Sequence, residues 1–315
     1  MPRILLTGAG FTHNWGAWLA SELEGDILAR LAAHQQIRRL VQSCTNYEEA
    51  LEKARSPGYS GLALSPEQLN ILESAIKDSF WAMNMALGQR GSMEFSDDVH
   101  RSIQRFLDQF DAIFTLNQDL LLELHYRPDR FPNPRWEGTY YPGLDPQVLP
   151  TIDAGEVIHL QRRVRLGQQP DPRRQPIYKL HGSIEWQDGS EGLFVVGGGK
   201  EQYISYKPLL RQYFEVFKHY LREPDTRLMI IGYGWADDHV NKLLIEASEA
   251  NPTLGVFHVH PQGREAVHRG QRASVAIYSI PATANLPCIG ESRRSLSSTF
   301  DFDTLEYDKV MRFFA

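Results

Sequence analysis

The chain has 315 residues, 42% of them apolar and 11% aromatic, enough to bury the core of one large domain or of two modest ones. A formal charge of −6 and a pI near 6.0 supply no field to hold a polyphosphate backbone, so direct nucleic-acid binding is not expected. Two cysteines, Cys44 and Cys288, exclude both a disulfide framework and a four-cysteine zinc site.

The one basic concentration, Arg162, Arg163 and Arg165 followed by Arg173 and Arg174, reads as a solvated edge strand and loop. The opening MPRILLTGAGF lacks the apolar stretch of a signal peptide, and apolar runs such as LMII are far too short to span a bilayer. A cytoplasmic protein with no membrane part is expected.

Along the chain, Arg3 to Thr7 is a short apolar run ending at Gly8, and beyond Gly10 a helical pattern passes through Trp15, Leu19 and Leu23. This is strand, glycine turn, helix. Next comes a stretch without strand signals. Ser65, Pro66 and Gln68 supply an N-cap, a first-turn proline and the third-position amide of a capping box. Behind them Leu69, Leu72, Ile76, Phe80, Met83 and Leu87 repeat at helical spacing. A second helix, capped by Ser96, carries Val99, Ile103, Phe106 and Phe110 on one side. Residues of about 25–110 thus read as a helical module inserted after the first strand and helix.

A strand resumes at Asp111 to Thr115, with a short helix through Leu120 to Leu124 behind it. Arg127 to Gln147 is too rich in Pro and Gly for regular structure. As part of a long loop, about 127–175, it is expected to cover the crevice at the neighbouring strand end. Strands at Ile177 to Leu180 and Leu193 to Val196 follow, then helix Leu209 to Leu221, strand Arg227 to Ile231, helix Asp238 to Ala250, strand Gly255 to Val259, a short helix and strand Ser274 to Tyr278. That alternation predicts an α/β fold over residues 1–282, a doubly wound, mainly parallel Rossmann-like sheet with the helical module inserted. The tail, 283–315, is Ser-rich and then amphipathic from Phe300 to Phe314, and reads as a C-terminal docking segment.

Five stretches carry polar chemistry. In TGAGFTHNWG, Thr7 to Gly16, a glycine pair lets backbone approach a pyrophosphate at a helix start, although His13 stands at the third glycine position and a tight turn needs glycine anyway. In FTLNQDL, Asn117 and Asp119 follow a strand and either face a crevice or cap a helix. In KLHGSIEW, His181 ends another strand, as a base or as a turn residue. In IIGYGWADDHVN, Asp237 or Asp238 is the expected N-cap. In FHVHP, His258 and His260 share a strand face, but with no thiol or third histidine in ligand spacing no metal is expected.

All five stretches fall at one edge of the predicted sheet. GAGFT, TLNQD, KLHGS, the GYG turn and a strand ending His-Val-His-Pro together resemble the sirtuin-like domains, and within them the bacterial branch that cleaves NAD in anti-phage defence. The resemblance covers about 1–24, 110–125 and 176–280. It implies that Gly8, Ala9, Gly10 and Phe11, with Asn14 beside them, hold the pyrophosphate of NAD. It further implies that Asn117 orients the nicotinamide ribose and the attacking water, that Asp119 contacts the nicotinamide amide, and that His181 is the general base. Gly232 and Tyr233 would form the ribose-binding turn, and His258 would lie near the adenosine.

The chain departs from sirtuin deacylases in two places. The four-cysteine zinc ribbon is missing, and THNWG replaces the Pro-Asp-Phe-Arg loop. Both absences weigh against acyl-peptide binding and leave the NAD site untouched. The resemblance therefore implies an NAD hydrolase acting as the effector of abortive infection, without a metal. It is expected to work as a homo-oligomer or with a separately encoded partner such as a HerA-type ATPase or an Argonaute-like protein. An NAD-dependent protein deacylase and a non-catalytic NAD or ADP-ribose sensor are the alternatives.

Overall fold

The computed structural model describes residues 1–56, 64–145, 152–153, 156–157, 162–167, 170–267 and 286–315. Its centre is a seven-stranded sheet in which every pairing is parallel. Across the sheet the strands are Cys288–Ser292, Gly255–Val259, Arg227–Ile231, Arg3–Thr7, Ala112–Thr115, Gln175–Lys179 and Thr139–Tyr140. The predicted α/β, Rossmann-like class is therefore the fold observed. Ile4, Leu5, Leu6 and Thr7 are completely buried, as a central parallel strand covered by helices on both faces requires.

Strand order reverses between Arg3–Thr7 and Arg227–Ile231. Later strands lie on one side of this point and earlier ones on the other, and the carboxyl ends of strands at such a reversal are where an open α/β sheet forms its ligand crevice. Antiparallel pairing occurs outside the central sheet, as between Ile152–Asp153 and Glu156–Val157. Gly182–Asp188 and Glu191–Phe194 form an antiparallel hairpin, with Arg162–Arg163 added in parallel beside Trp186 and Gln187. Gly182, at φ 69°, starts that hairpin: a Cβ there would stand 2.1 Å from the carbonyl oxygen of Leu193.

Helices Ala20–Arg30, Gln35–Gln42, Tyr47–Arg55 and Pro66–Gly88 fill the segment after the first strand. Ser65 accepts from Gln68 N while the Gln68 side chain accepts from Ser65 N, the reciprocal cap expected from the sequence. The helical pattern beyond Gly10 proves to be two helices. Ala9–His13 is closed at Asn14, and Ala20–Arg30 begins afresh. Ser96 is not a cap either. Its hydroxyl donates to Phe300 O, while Asp98 caps a 3-10 turn at Val99–Arg101 and Ser102 caps Ile103–Asp108.

The C-terminal residues are not a docking segment apart from the domain. Cys288–Ser292 is the edge strand beside Gly255–Val259, and Phe300, Phe313 and Phe314 pack against Phe106 and Phe110. Burying three phenylalanines contributes roughly 2 kcal/mol each, so the segment belongs to the core. The predicted strand Ser274 to Tyr278 lies outside the described residues.

The segment after Arg127 also departs from expectation. Thr139–Tyr140 pairs with Gln175 and Pro176 as the opposite edge strand. Arg135 pairs with Asp111, and Trp136 Nε1 donates to the carbonyls of Asp108 and Phe110. These are contacts with the amino ends of strands, so among the described residues this segment does not cover the crevice. The basic stretch dissolves into pairs: Arg165 with Asp145, Arg173 with Glu137 and Asp171, Arg174 with Asp171. Arg162 is buried over the Tyr141 ring at 4.5 Å rather than solvated.

Candidate functional site

A crevice of about 330 Å³ opens at the carboxyl ends of the strands flanking the point of reversal. Its floor is made by two glycine turns pressed together. Gly8 N donates to Ile231 O at 3.0 Å and Gly10 N to Gly232 O at 2.9 Å. A Cβ on Gly8 or Gly10 would come within 2.8 Å of backbone at Gly232 or Tyr233, so the glycines are required by this approach of chain to chain. The hydrogen bonds also redefine the expected pyrophosphate turn. Gly8, Gly10 and Phe11 spend their N–H groups on Ile231, Gly232 and Gly8 carbonyls, and exposed Ala9 is left facing the crevice. Gly10 and Phe11 do not line it, and Phe11 packs in the core against Trp15.

Asn117 sits where the Ala112–Thr115 strand ends, its N–H donated to Thr115 Oγ1 at 3.0 Å. Its Nδ2 donates to Gly8 O at 3.0 Å and to Thr12 Oγ1 at 2.7 Å. Gly8 O can only accept, which fixes the amide orientation and turns Oδ1 toward other partners. Asp119 also lines the crevice; the N-cap of the helix Leu121–His125 is Leu120, with no side-chain cap. Asp119 Oδ1 accepts from Leu121 N at 3.0 Å, and burial, offset in part by the Lys179 charge, raises its carboxyl above the usual range.

His181 closes the third side. Beneath it lies a sealed ionic cluster. Lys179 Nζ donates to Asp119 O at 2.6 Å, Glu123 Oε1 at 2.9 Å and Ser183 Oγ at 2.6 Å, locking the turn that bears Asp119 to the turn that bears His181. Burial holds the His181 ring far below the usual imidazole range, at about 3, so it is neutral at pH 7. Its Nε2 stands 2.9 Å from Nε2 of His239.

His239, Asp237 and Lys200 are functional candidates that the sequence did not reveal. Asp237 begins the helix Asp238–Ala250, but its carboxylate caps nothing. It accepts instead from Lys200 Nζ at 2.8 Å, and Lys200 also meets Glu48 at 2.9 Å. Burial opposes ionisation of Asp237, yet the cationic partners it faces, His181 when protonated and Lys200, hold it at about 2. His181, Asp237 and His239 offer ligand atoms within 4.8 Å of one another, a set that a cation could use. The geometry favours another use. With ring centroids 5.1 Å apart for a 2.9 Å contact, the two nitrogens lie nearly on the line joining the rings, as in an N–H···N hydrogen bond. Asp237, moreover, already accepts from Lys200.

Of the remaining predicted residues, only Tyr233 lines the crevice. Asn14 donates from Nδ2 to the carbonyls of Gly10 and Phe11 and accepts from Leu296 N, a clamp outside the crevice. Gly232, at φ 64°, builds the floor without lining it. Tyr233 lines the crevice but turns its hydroxyl to Asn241 Oδ1. His258 is buried beside Trp235 at 5.8 Å and does not reach the crevice; burial lowers its ring to about 4. The roof comes from the helical segment, through Trp18, Leu23, Tyr47, Phe80 and Met83.

No helix among the described residues is long and apolar enough to cross a membrane. No curated protein matches the chain. The SIR2-like domains, a family of NAD-dependent enzymes that bind NAD as substrate, match residues 111–279, more than half of the sequence, and the chain belongs to that family.

Proposed function

We propose that the protein is an NAD hydrolase, releasing nicotinamide and ADP-ribose, and that it serves as the effector of an anti-phage abortive-infection system switched on by self-assembly or by a partner protein. The observation that carries the hydrolytic reading is the convergence of Asn117 and His181 on one crevice at the strand-order reversal. The defence role rests on the resemblance of GAGFT, TLNQD and KLHGS to that branch of the family.

The chemistry asks little of the protein. Nicotinamide leaves as a neutral molecule from a cationic ring, taking the C–N bond pair with it, so no general acid is needed and no carboxylate pair of the glycosidase kind is required. Water adding to the ribose oxocarbenium ion becomes strongly acidic. A weak but neutral base such as His181 then suffices to take its proton, a contribution on the order of 10²–10⁴ in rate. Asn117, with both amide hydrogens committed, has Oδ1 free to accept from a ribose hydroxyl or from that water. A neutral carboxyl on Asp119 would donate to the carboxamide oxygen, and an ionised one would accept from its nitrogen.

Chromatographic measurement of free nicotinamide tests this. The parent protein, with its activating partner where one is needed, is expected to release nicotinamide from NAD alone. Folded His181→Ala and Asn117→Ala should each lose about 3–5 kcal/mol of transition-state stabilisation. Release only in the presence of an acetylated peptide would mean a deacylase, and NAD binding without release would mean a sensor.

A further inference from the structure

We propose that His239 is the positioning residue that fixes the tautomer of His181, holding the hydrogen on Nε2 so that Nδ1 presents its lone pair to the crevice. This rests on the hydrolase reading of the same site. Two neutral imidazoles facing each other at 2.9 Å through Nε2 share one hydrogen, so one ring donates and the other accepts. His181 Nδ1 has no hydrogen-bond partner among the described residues and is not a sealed, unsatisfied atom, and the residue lines the crevice. A base must accept there. Given that requirement, the shared hydrogen sits on His181 Nε2 and His239 Nε2 supplies the acceptor lone pair.

The fold holds His239 for this task. It is the second residue of the helix Asp238–Ala250, its ring packs on Phe214 at 5.5 Å, and the helix start is tied down through Asp237, Lys200 and Glu48. When His181 takes a proton on Nδ1, its Nε2–H is already donated, so the imidazolium forms without any change of hydrogen-bond geometry. The Asp237 carboxylate stands within 4.8 Å of both rings to stabilise it.

Replacement of His239 separates this role from a merely structural one. His239→Leu keeps apolar bulk and removes the acceptor; His239→Gln returns an acceptor in Oε1. In the Leu variant Nε2–H has no partner, and the hydrogen should move to Nδ1, where water can satisfy it. Nitrogen-15 spectra of imidazole-labelled protein, with the His181 signals assigned by their loss in His181→Gln, should show the Nε2–H tautomer in the parent, Nδ1–H in His239→Leu, and Nε2–H again in His239→Gln. Turnover should follow. The kcat for NAD is expected to fall roughly 10- to 100-fold in the Leu variant, with KM within about twofold, and to recover in the Gln variant. An Nδ1–H tautomer in the parent, or a folded His239→Leu protein with unchanged tautomer and kcat, would overturn the assignment. If the protein turns over no NAD at all, the hydrolase reading fails, and the tautomer series still decides the role of His239.

Discussion

Replacing Gly232 by alanine tests the floor of the crevice most directly. Gly232 adopts φ 64°, and a Cβ there would stand 2.2 Å from Phe11 N and 2.3 Å from Gly10 C, both backbone atoms with no rotamer to change. Holding a non-glycine residue left-handed costs roughly 1–2 kcal/mol. Overpacking against backbone adds roughly 1–3 kcal/mol. Loss of the 2.9 Å bond from Gly10 N to Gly232 O adds about 1 kcal/mol. The total is about 3–6 kcal/mol, and at about 2 °C per kcal/mol for a chain of this size the midpoint should fall by about 6–12 °C. Differential scanning calorimetry measures this, with Gly234→Ala as the control. A Cβ on Gly234 meets nothing within 4 Å and its φ is not positive, so its midpoint should stay within about 1 °C of the parent. A Gly232→Ala protein that melts with the parent would show that the two turns do not interlock as described.

Acid should destabilise the protein through its buried histidines. The His258 ring is lowered to about 4 and the His181 ring to about 3 in the folded state, so the unfolded chain takes up protons first. The stability these rings contribute is complete above about pH 6.5 and is lost as pH falls toward 4 and 3. His258 alone accounts for about 3 kcal/mol by its shift, and urea melts at pH 7 and 4.5 should show a decline about 2 kcal/mol shallower in His258→Gln; an unchanged decline would remove His258 from the account. Lys179→Met should cost about 3–5 kcal/mol in the same melts by leaving Glu123 buried without its partner. The double variant Lys179→Met, Glu123→Gln should regain part of that loss, and strict additivity of the two single effects would refute the pairing.

Local chemistry made much of this molecule legible in advance. The cap at Ser65, the short apolar strands and the glycine turns are decided by neighbours within a few residues, and each lies where its pattern put it. Residues joined only by the tertiary fold were not legible. His239 and Lys200 belong to a surface-like helix start and to a Gly-rich connection, and nothing in DDHVN or GGGKEQ shows that the two converge on His181. Asn14 and His258 misled for the opposite reason. Their motifs suit a ligand, but Asn14 is spent on Leu296, and His258 sits one position too deep in its strand to reach the edge. Pro and Gly in the segment after Arg127 argued against regular structure, yet an edge strand of two residues at Thr139–Tyr140 tolerates them on either side.

The central place of Arg3–Thr7 in the sheet has a consequence for synthesis. This strand is made first, yet one of its two partners, Arg227–Ile231, lies 220 residues later, counted from Thr7 to Arg227. At about 5–20 residues per second the ribosome needs roughly 10–45 s to deliver that partner. During this interval an apolar strand waits with an open edge, which makes it a natural client for chaperones. The floor of the crevice, which needs the Gly8 and Gly232 turns together, does not exist until that wait ends. A nascent chain that has not yet reached Gly232 therefore carries no assembled crevice, and whatever chemistry the crevice performs waits on the Arg227–Ile231 strand.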